Sequence, residues 1–341
     1  MSSKFAKKDS VFAPLVPFRV EPRFLARLWG YSDLRPWFDR SAESEPGSEP
    51  IGEVWLTGDD CLVGSGPHAG KTLGKLFETQ QGALLGPAAP AVFAASASAS
   101  PLLLKVIFAR QKLSVQVHPD DKLARFYGQP RGKTECWYAL AAEPGAEVAV
   151  GLRPGSTLDQ IRRDLHLGTL EQSLTRLPVH TGDMIYVDAG TVHAIWPGSI
   201  LLETQQNSDI TYRMFDYGRP RELHIDKSLR ATRTQTRAGK VAPRQLDDRT
   251  ILIDEDYFSV ERIPVATSRS SSTLPGPQEP RPGLSYLFAA AGSGRITSAA
   301  FAPLELPSRG LVAIPASSPV FAVQDMGGLD LIRISPRWPA R

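Results

Sequence analysis

Strand-length apolar runs separated by turn-forming residues recur along most of this chain and limit the folds open to it. Residues 102–108 read LLLKVIF, residues 113–117 alternate between apolar and polar, and residues 184–188 and 201–205 continue the series. The chain also has 28 glycines and 29 prolines, which favour many turns and few long helices. Short apolar runs bounded by turn residues are typical of strands in sandwiches and barrels. The sequence therefore predicts a mainly β protein.

The distribution of histidine divides the chain into two parts. All six histidines, at positions 68, 118, 166, 180, 193 and 224, precede residue 225. Beyond residue 243 short apolar runs alternate with Pro, Gly and Ser turns. We therefore expect a catalytic, metal-binding domain over residues 11–240 and a smaller β-domain without a metal site over residues 241–341. Any chemistry that uses imidazole belongs to the first of these domains.

Three segments are expected to lie outside the strands. Residues 1–10 are predicted to form a disordered tail. Residues 156–165 and 169–177 predict two short helices, the first opened by a Ser-x-x-Asp cap, so a helical insert is expected at about 156–177. The Ala/Ser-rich residues 91–100 are either a loose surface connection or a short helix.

Charge and cysteine content narrow the class of partners and the compartment. The 39 basic and 36 acidic residues leave a net charge of +3, which gives no reason to expect nucleic acid. No apolar run approaches the roughly 18–20 residues of a membrane span. Cys61 and Cys136 are too few for a disulfide framework, and residues 11–20 do not resemble a signal peptide because prolines interrupt them. We expect a cytoplasmic protein, either monomer or dimer, that binds neither membranes nor nucleic acid.

Polar residues on two predicted hairpins indicate a metal site. Alternate residues of a strand share a face, so Gln116 and His118 point in the same direction. Glu135 begins another strand after a Gly-Lys-Thr turn, and His193 lies on a later returning strand. Together they offer two imidazole nitrogens, one carboxylate and one amide oxygen. Such a set suits zinc with an open position for water or substrate.

Each of these residues also has a plainer interpretation. A Gln-x-His pair on a strand is more often solvated polar surface, a single histidine is often a hydrogen-bonded core residue, and a glutamate after a turn is often exposed. The GKT triplet does not complete a phosphate loop, because Tyr127 occupies the position of its first glycine. The prediction of a metal site therefore depends on the joint pattern.

Longer motifs resemble one enzyme family. The segments SVQVHPDD, GKTECWY, GD-x-x-Y-V-x-AGTVHAI and E-x-QQ-x-SD-x-TYR-x-x-DY resemble type I phosphomannose isomerases of the cupin superfamily, as do IGEVWLTG and RELHID. The resemblance runs in order from about residue 14 to residue 229 and is weaker beyond. It implies the short bacterial form, with two cupin-type (jelly-roll) barrels and a small helical insertion. It also implies a zinc-dependent aldose–ketose isomerase that interconverts mannose 6-phosphate and fructose 6-phosphate through a cis-enediol.

The resemblance also implies roles for individual residues. The family's metal ligands correspond to the same four residues, with one zinc ion per chain: Gln116, His118, Glu135 and His193. Its catalytic residues correspond to Arg213, Lys133 and Asp209, and its substrate-binding residues to Lys105, Lys133 and Arg213. Two questions stay open: whether Lys133 or Asp209 is the general base, and whether Arg213 binds the phosphate or the enediolate.

Two other functions stay open on sequence alone. One is a different cupin metalloenzyme, a sugar epimerase or an iron dioxygenase; iron oxygenases favour two histidines and one carboxylate, and a glutamine ligand speaks against them. The other is a non-catalytic cupin that binds a sugar phosphate. Such a protein is expected to have lost a ligand or base, and the motifs here retain all of them.

Overall fold

The computed structural model describes residues 14–40, 49–87, 89, 100–265 and 283–338. The predicted tail over residues 1–10 and the Ala/Ser-rich residues 91–99 lie outside the described residues. Strands dominate the rest, which confirms the prediction of a mainly β protein. The strands are β1 (Phe18–Glu21), β2 (Arg23–Tyr31), β3 (Ile51–Trp55), β4 (Leu62–Val63), β5 (Leu102–Ala109), β6 (Val115–Val117), β7 (Glu135–Ala142), β8 (Glu147–Leu152), β9 (Leu174–Pro178), β10 (Met184–Val187), β11 (His193–Ile195), β12 (Ser199–Gln206), β13 (Tyr212–Phe215), β14 (Gly239–Val241), β15 (Arg244–Gln245), β16 (Thr250–Asp254), β17 (Phe258–Ile263), β18 (Ser285–Ala291), β19 (Gly294–Thr297), β20 (Leu304–Leu306), β21 (Leu311–Ile314), β22 (Ala322–Asp325) and β23 (Asp330–Pro336).

Helices are short in this part of the chain. They are α1 (Leu73–Leu85), α2 (Asp121–Phe126), α3 (Leu158–Leu167) and α4 (Ile225–Ala231), with 3-10 turns at Gly66–His68 and Leu170–Ser173. Among the described residues, none of the helices is long and apolar enough to cross a bilayer.

Two antiparallel sheets form the first sandwich. One has the strand order β14-β10-β7-β12-β5-β3-β2 and the other β13-β6-β11-β8-β9, counting the described strands. Their inner faces share a core in which Ile107 and Leu201 of the first sheet pack with Val148 and Ile195 of the second. Strand β5 is apolar except for Lys105 because both of its faces are buried: Leu104, Val106 and Phe108 face a different core.

A second sandwich follows in the C-terminal part of the chain. Its larger sheet has the order β15-β16-β17-β23-β18-β21-β1-β4, and β20-β19-β22 packs against it. Leu287 and Val312 of the larger sheet share a core with Ile296 and Val323 of the smaller one. A further core joins the two sandwiches, with Phe108 on one side and Phe288 on the other.

The N-terminal strand crosses from one half of the chain to the other. β1 pairs with β21, aligning Phe18 with Ala313 and Val20 with Leu311, and β4 pairs with β1. Conversely, β14 at residues 239–241 pairs with β10 of the first sandwich. The division into domains at residue 240 stays a proposal. These pairings place two strands from the N-terminal segment, β1 and β4, in the larger sheet of the second sandwich.

The helical insert is shorter than predicted. Helix α3 begins after Thr157, whose side chain accepts a hydrogen bond from the Gln160 amide, and ends at Gly168, which has a left-handed φ of 69°. The second helix, predicted at residues 169–177, is wrong: a 3-10 turn is followed by β9, which pairs with β8. Pairing with the edge of β8 satisfies the backbone of this segment and outweighs its local helical pattern.

Candidate active site

Three strands of the first sandwich bring together two histidines and a glutamate. His118 directly follows β6, Glu135 opens β7 and His193 opens β11. Their nearest ligand atoms all lie within 4.8 Å of one another, and each residue is at most 1% exposed. Gln116 reaches the same place because β6 pairs with β11, which sets Gln116 directly opposite His193.

Backbone carbonyls fix which nitrogen of each imidazole is available. The Nδ1 atom of His118 lies 2.8 Å from the carbonyl oxygen of Ile210, and Nδ1 of His193 lies 2.9 Å from that of Thr191. A carbonyl only accepts, so both Nδ1 atoms carry hydrogen and donate, which leaves Nε2 with a lone pair. Burial lowers the pKa of His118 well below its usual value and that of His193 to about 4, so both rings are neutral.

These lone pairs converge on the Glu135 carboxylate. Nε2 of His118 is 3.6 Å from Oε2, and Nε2 of His193 is 3.5 Å from Oε1. The Nε2 atom of His118 and the Oε1 atom of Glu135 are buried and have no hydrogen-bond partner among the residues that the structure describes. Burying acceptors in this way is costly unless a cation satisfies them. The three residues therefore fit a divalent metal ion.

The amide of Gln116 completes this donor set after a simple rotation. Its Nε2 atom is 3.2 Å from Nε2 of His193, and its Oε1 accepts a hydrogen bond from the Ser114 hydroxyl at 3.2 Å. Turning the amide by half a rotation exchanges the two atoms and keeps a hydrogen bond to Ser114, because a hydroxyl both donates and accepts. The oxygen of Gln116 would then face the same point as the imidazoles.

A cavity of about 590 Å³ opens in front of this cluster. Six of the side chains singled out in the sequence border it: Lys105, Gln116, Lys133, Glu135, Asp209 and Arg213. Lys133 is buried, and its Nζ lies 3.1 Å from Oε2 of Glu135. Burial nevertheless raises the pKa of Glu135 to about 8, although Lys133 acts in the opposite direction. One lysine does not compensate the buried carboxylate, which is a further reason to expect a cation here.

Arg213 and Asp209 reach the cavity from different elements. Asp209 lies in the loop before β13, and Arg213 lies within that strand. The Asp209 side chain is 65% exposed and lies 3.9 Å from Nζ of Lys105. Arg213 donates from Nη1 to the Glu222 carbonyl at 2.8 Å, and its buried Nε has no hydrogen-bond partner in the described part of the chain. Arg213 thus borders the cavity with part of its guanidinium already engaged.

Several charged residues at the cavity were not foreseen from sequence. Glu203 lies on β12 and forms an ion pair with Lys105, with 3.2 Å between Oε2 and Nζ. Glu53 on β3 accepts hydrogen bonds from Arg27 at 2.9 Å and from the Trp55 indole at 2.8 Å. A signal did exist, because Glu53 and Glu203 are acidic residues within apolar strand runs, and a buried charge requires a partner.

Arginine and tryptophan side chains form another part of the cavity wall. Arg221 donates from Nε to Oδ2 of Asp216 at 2.7 Å, and its guanidinium lies 5.1 Å from the centre of the Trp29 ring. Arg27 lies 5.9 Å from the same ring. All three of Arg27, Trp29 and Arg221 border the cavity. This part of the wall therefore combines arginine–carboxylate pairs with an indole ring.

The paired jelly-roll sandwiches, with a His–Glu–His cluster beside a polar cavity, define a cupin-type protein. A family model described as phosphomannose isomerase type I, catalytic domain, matches residues 18–160. Mannose-6-phosphate isomerase of Streptococcus mutans is 34% identical over 300 residues, which cover 82% of this chain and 87% of that protein. Mannose-6-phosphate isomerase ManA of Bacillus subtilis is 35% identical over 269 residues, covering 74% of this chain and 81% of that protein.

A solved structure agrees with these relatives over nearly the whole chain. The crystal structure of the mannose 6-phosphate isomerase from Bacillus subtilis superposes with a TM-score of 0.78 at 28% identity, covering 94% of this chain and 99% of that one. The chain belongs to the type I phosphomannose isomerase family, and it is an enzyme of the isomerase class. The family resemblance inferred from the motifs is thereby confirmed.

Proposed function

We propose that this enzyme is a zinc-dependent aldose–ketose isomerase that interconverts mannose 6-phosphate and fructose 6-phosphate through a cis-enediol. One observation carries the proposal: the neutral imidazoles of His118 and His193 and the buried carboxylate of Glu135 converge beside a cavity bordered by lysine, arginine and aspartate. The names of the relatives at 34% and 35% identity supply the substrate. The buried, unpaired Cys61 and Cys136 favour a reducing, cytoplasmic location.

Gln116, His118, Glu135 and His193 would hold one zinc ion per chain. When bound, zinc would supply Lewis acidity to the oxygens on C1 and C2 of the sugar. The remaining tasks belong to side chains: a base removes the proton from C2 of the aldose and returns it to C1, and cations hold the anionic groups in place.

Asp209 is the stronger candidate for the base. Its carboxylate is accessible from the cavity, whereas the ammonium of Lys133 is buried and paired with Glu135 at 3.1 Å. Lys133 is therefore already engaged by Glu135 and is the less accessible of the two. Lys105, Lys133 and Arg213 are then assigned to substrate binding, and Arg213 also to the charge that develops on the enediolate.

A coupled assay with mannose 6-phosphate, run beside metal analysis of the same preparation, tests the function. We expect about one zinc per chain, loss of turnover on chelation and recovery when zinc is restored. Active protein that contains no transition metal would overturn the metal assignment, and zinc-loaded protein that does not convert mannose 6-phosphate would overturn the substrate.

Deuterium exchange separates the two candidate bases. Asp209→Asn keeps the shape of the side chain and removes its charge, so wash-in of solvent deuterium at C2, followed by NMR, should slow while the zinc content stays unchanged. Normal wash-in for this variant, together with slow wash-in for Lys133→Met, would transfer the role of base to Lys133.

A further inference from the structure

Four side chains form one continuous row across the sheet of the first sandwich that contains β5 and β12. Strand pairing sets Trp55 opposite Lys105, Lys105 opposite Glu203, and Glu203 opposite Trp137. Residues directly opposite each other on neighbouring strands share a face and touch. An ion pair is therefore placed between two tryptophans, in the wall of the catalytic cavity.

The ammonium, the carboxylate and the Trp137 indole of this row are engaged with one another. One Glu203 oxygen is 3.2 Å from Nζ of Lys105, and the other accepts a hydrogen bond from the Trp137 indole at 3.2 Å. Nζ of Lys105 also lies 5.4 Å from the centre of the Trp55 ring. The side chains of Lys105 and Glu203 are 3% and 4% exposed. The carboxylate thus holds the ammonium in place, and both side chains border the cavity.

The row lies next to the proposed metal ligands. On the same strands, Gln205 is opposite Glu135, two residues along from the pair of Glu203 and Trp137. Two residues of strand span about 7 Å, so the ammonium lies at the end of the cavity where C1 and C2 of the sugar would react. A cation at that place has most effect when negative charge develops on the sugar oxygens.

We propose that Glu203 is a positioning residue that acts through Lys105, holding its ammonium at the cavity wall so that it stabilises the oxyanion formed during proton transfer. This inference rests on the isomerase function proposed above. Lys105 stays charged in this role because Glu203 and Glu53 outweigh the effect of burial and raise its pKa. Lysine 105 is therefore a fixed cation and not a base.

A double-mutant cycle on the zinc-loaded enzyme tests the proposal. Lys105→Met should lower kcat by about 10²–10³-fold, and Glu203→Gln by on the order of 10–100-fold. If Glu203 acts only through Lys105, the double variant should be no slower than Lys105→Met alone. Zinc content should match that of the wild type in all three. Losses that multiply in the double variant, an effect confined to KM, or loss of zinc from Glu203→Gln would each overturn the proposal.

Glu261→Gln is the matched control for buried charge. Glu261 is a carboxylate whose side chain is 8% exposed, paired with Arg333 at 2.6 Å in the second sandwich. Removing its charge should lower Tm, as Glu203→Gln should, but leave kcat and KM unchanged within about twofold. If Glu261→Gln slows turnover as much as Glu203→Gln, the kinetic loss reflects destabilisation and the positioning role fails. Wild-type turnover in the same assay tests the proposed function separately: an inactive wild type overturns that function, and an active one with multiplying losses overturns only the role of Glu203.

Discussion

Imidazole chemistry in this enzyme is set by the hydrogen bond that each ring already makes. His118 and His193 donate from Nδ1 to backbone carbonyls and so present Nε2 to Glu135. His180, by contrast, is exposed, and its Nδ1 lies 3.5 Å from a carboxylate oxygen of Asp183. Burial keeps the first two rings neutral, and neutral imidazole is the form that binds metal.

Removing one of the converging imidazoles should release the metal. His118→Ala or His193→Ala is expected to reduce the zinc content to near zero and abolish turnover, because the loss of one of the four proposed ligands weakens metal binding. Far-UV circular dichroism should remain that of a β protein, since the strands that carry these residues are supported by apolar cores. His180→Ala is the control and should keep both zinc and activity. Full zinc occupancy in His118→Ala would remove that residue from the ligand set.

Arg213 offers a second test at this scale. Arg213→Ala should lower kcat by about 10²–10³-fold, or roughly 3–4 kcal/mol, because one donor to a developing charge is lost. Arg213→Lys should recover only part, since an ammonium cannot reproduce a planar fork of donors. Steady-state kinetics decide the role: a rise in KM at constant kcat would mean that Arg213 only grips the phosphate. Arg162→Ala, at an exposed ion pair with Asp159, should change neither constant.

The sheets of this protein are assembled from strands that lie far apart in sequence. β5 is apolar except for Lys105 because one face packs inside the first sandwich and the other against the second. β1 lies in the larger sheet of the second sandwich, almost three hundred residues from its partner β21. The segment that becomes β9 shows the same effect at closer range, because pairing with β8 outweighs its helical pattern. Element type here follows from the partner as much as from the local residues.

The crossing strand β1 should contribute measurably to stability. Phe18 is 4% exposed within the core that joins the sandwiches, so Phe18→Ala is expected to lower the free energy of unfolding by about 3–5 kcal/mol. Glu21→Ala, at an exposed position of the same strand, should change it by less than about 0.5 kcal/mol. Denaturant titration of the two variants gives both values. Equal losses in the free energy of unfolding for the two variants would show that β1 does not support the larger sheet of the second sandwich.

The two sandwiches share a core, which ties their stabilities together. Apolar side chains from both, among them Leu104, Phe108, Tyr286 and Phe288, meet in that core. His118, His193 and Glu135 all belong to the first sandwich. The metal site and the shared core are thus separate features, and removing the second sandwich should affect them differently.

Truncation tests this separation. A chain that ends after Ala238 should still bind zinc. It should unfold at a lower temperature and bind a hydrophobic dye, because the shared core is exposed and β1 has lost its partner β21. A chain that ends after Ala242 retains β14, which pairs with β10, and should be the more stable of the two. Zinc binding by the isolated C-terminal segment instead would contradict the assignment of the site to the first sandwich.

The sequence alone determined the mainly β fold and the family, and it supplied most of the candidate residues of the proposed site. These follow from local patterns: alternation along strands, turn residues between them, and the spacing of Gln116, His118, Glu135 and His193 within motifs. Only the tertiary structure decided that β1 belongs to the larger sheet of the second sandwich, that Asp209 reaches the cavity from a loop, and that Glu203 pairs with Lys105. The physical reason is that alternation specifies which face of a strand is buried, whereas the choice of neighbouring strand, and with it the partner of every buried charge, depends on the packing of the whole chain.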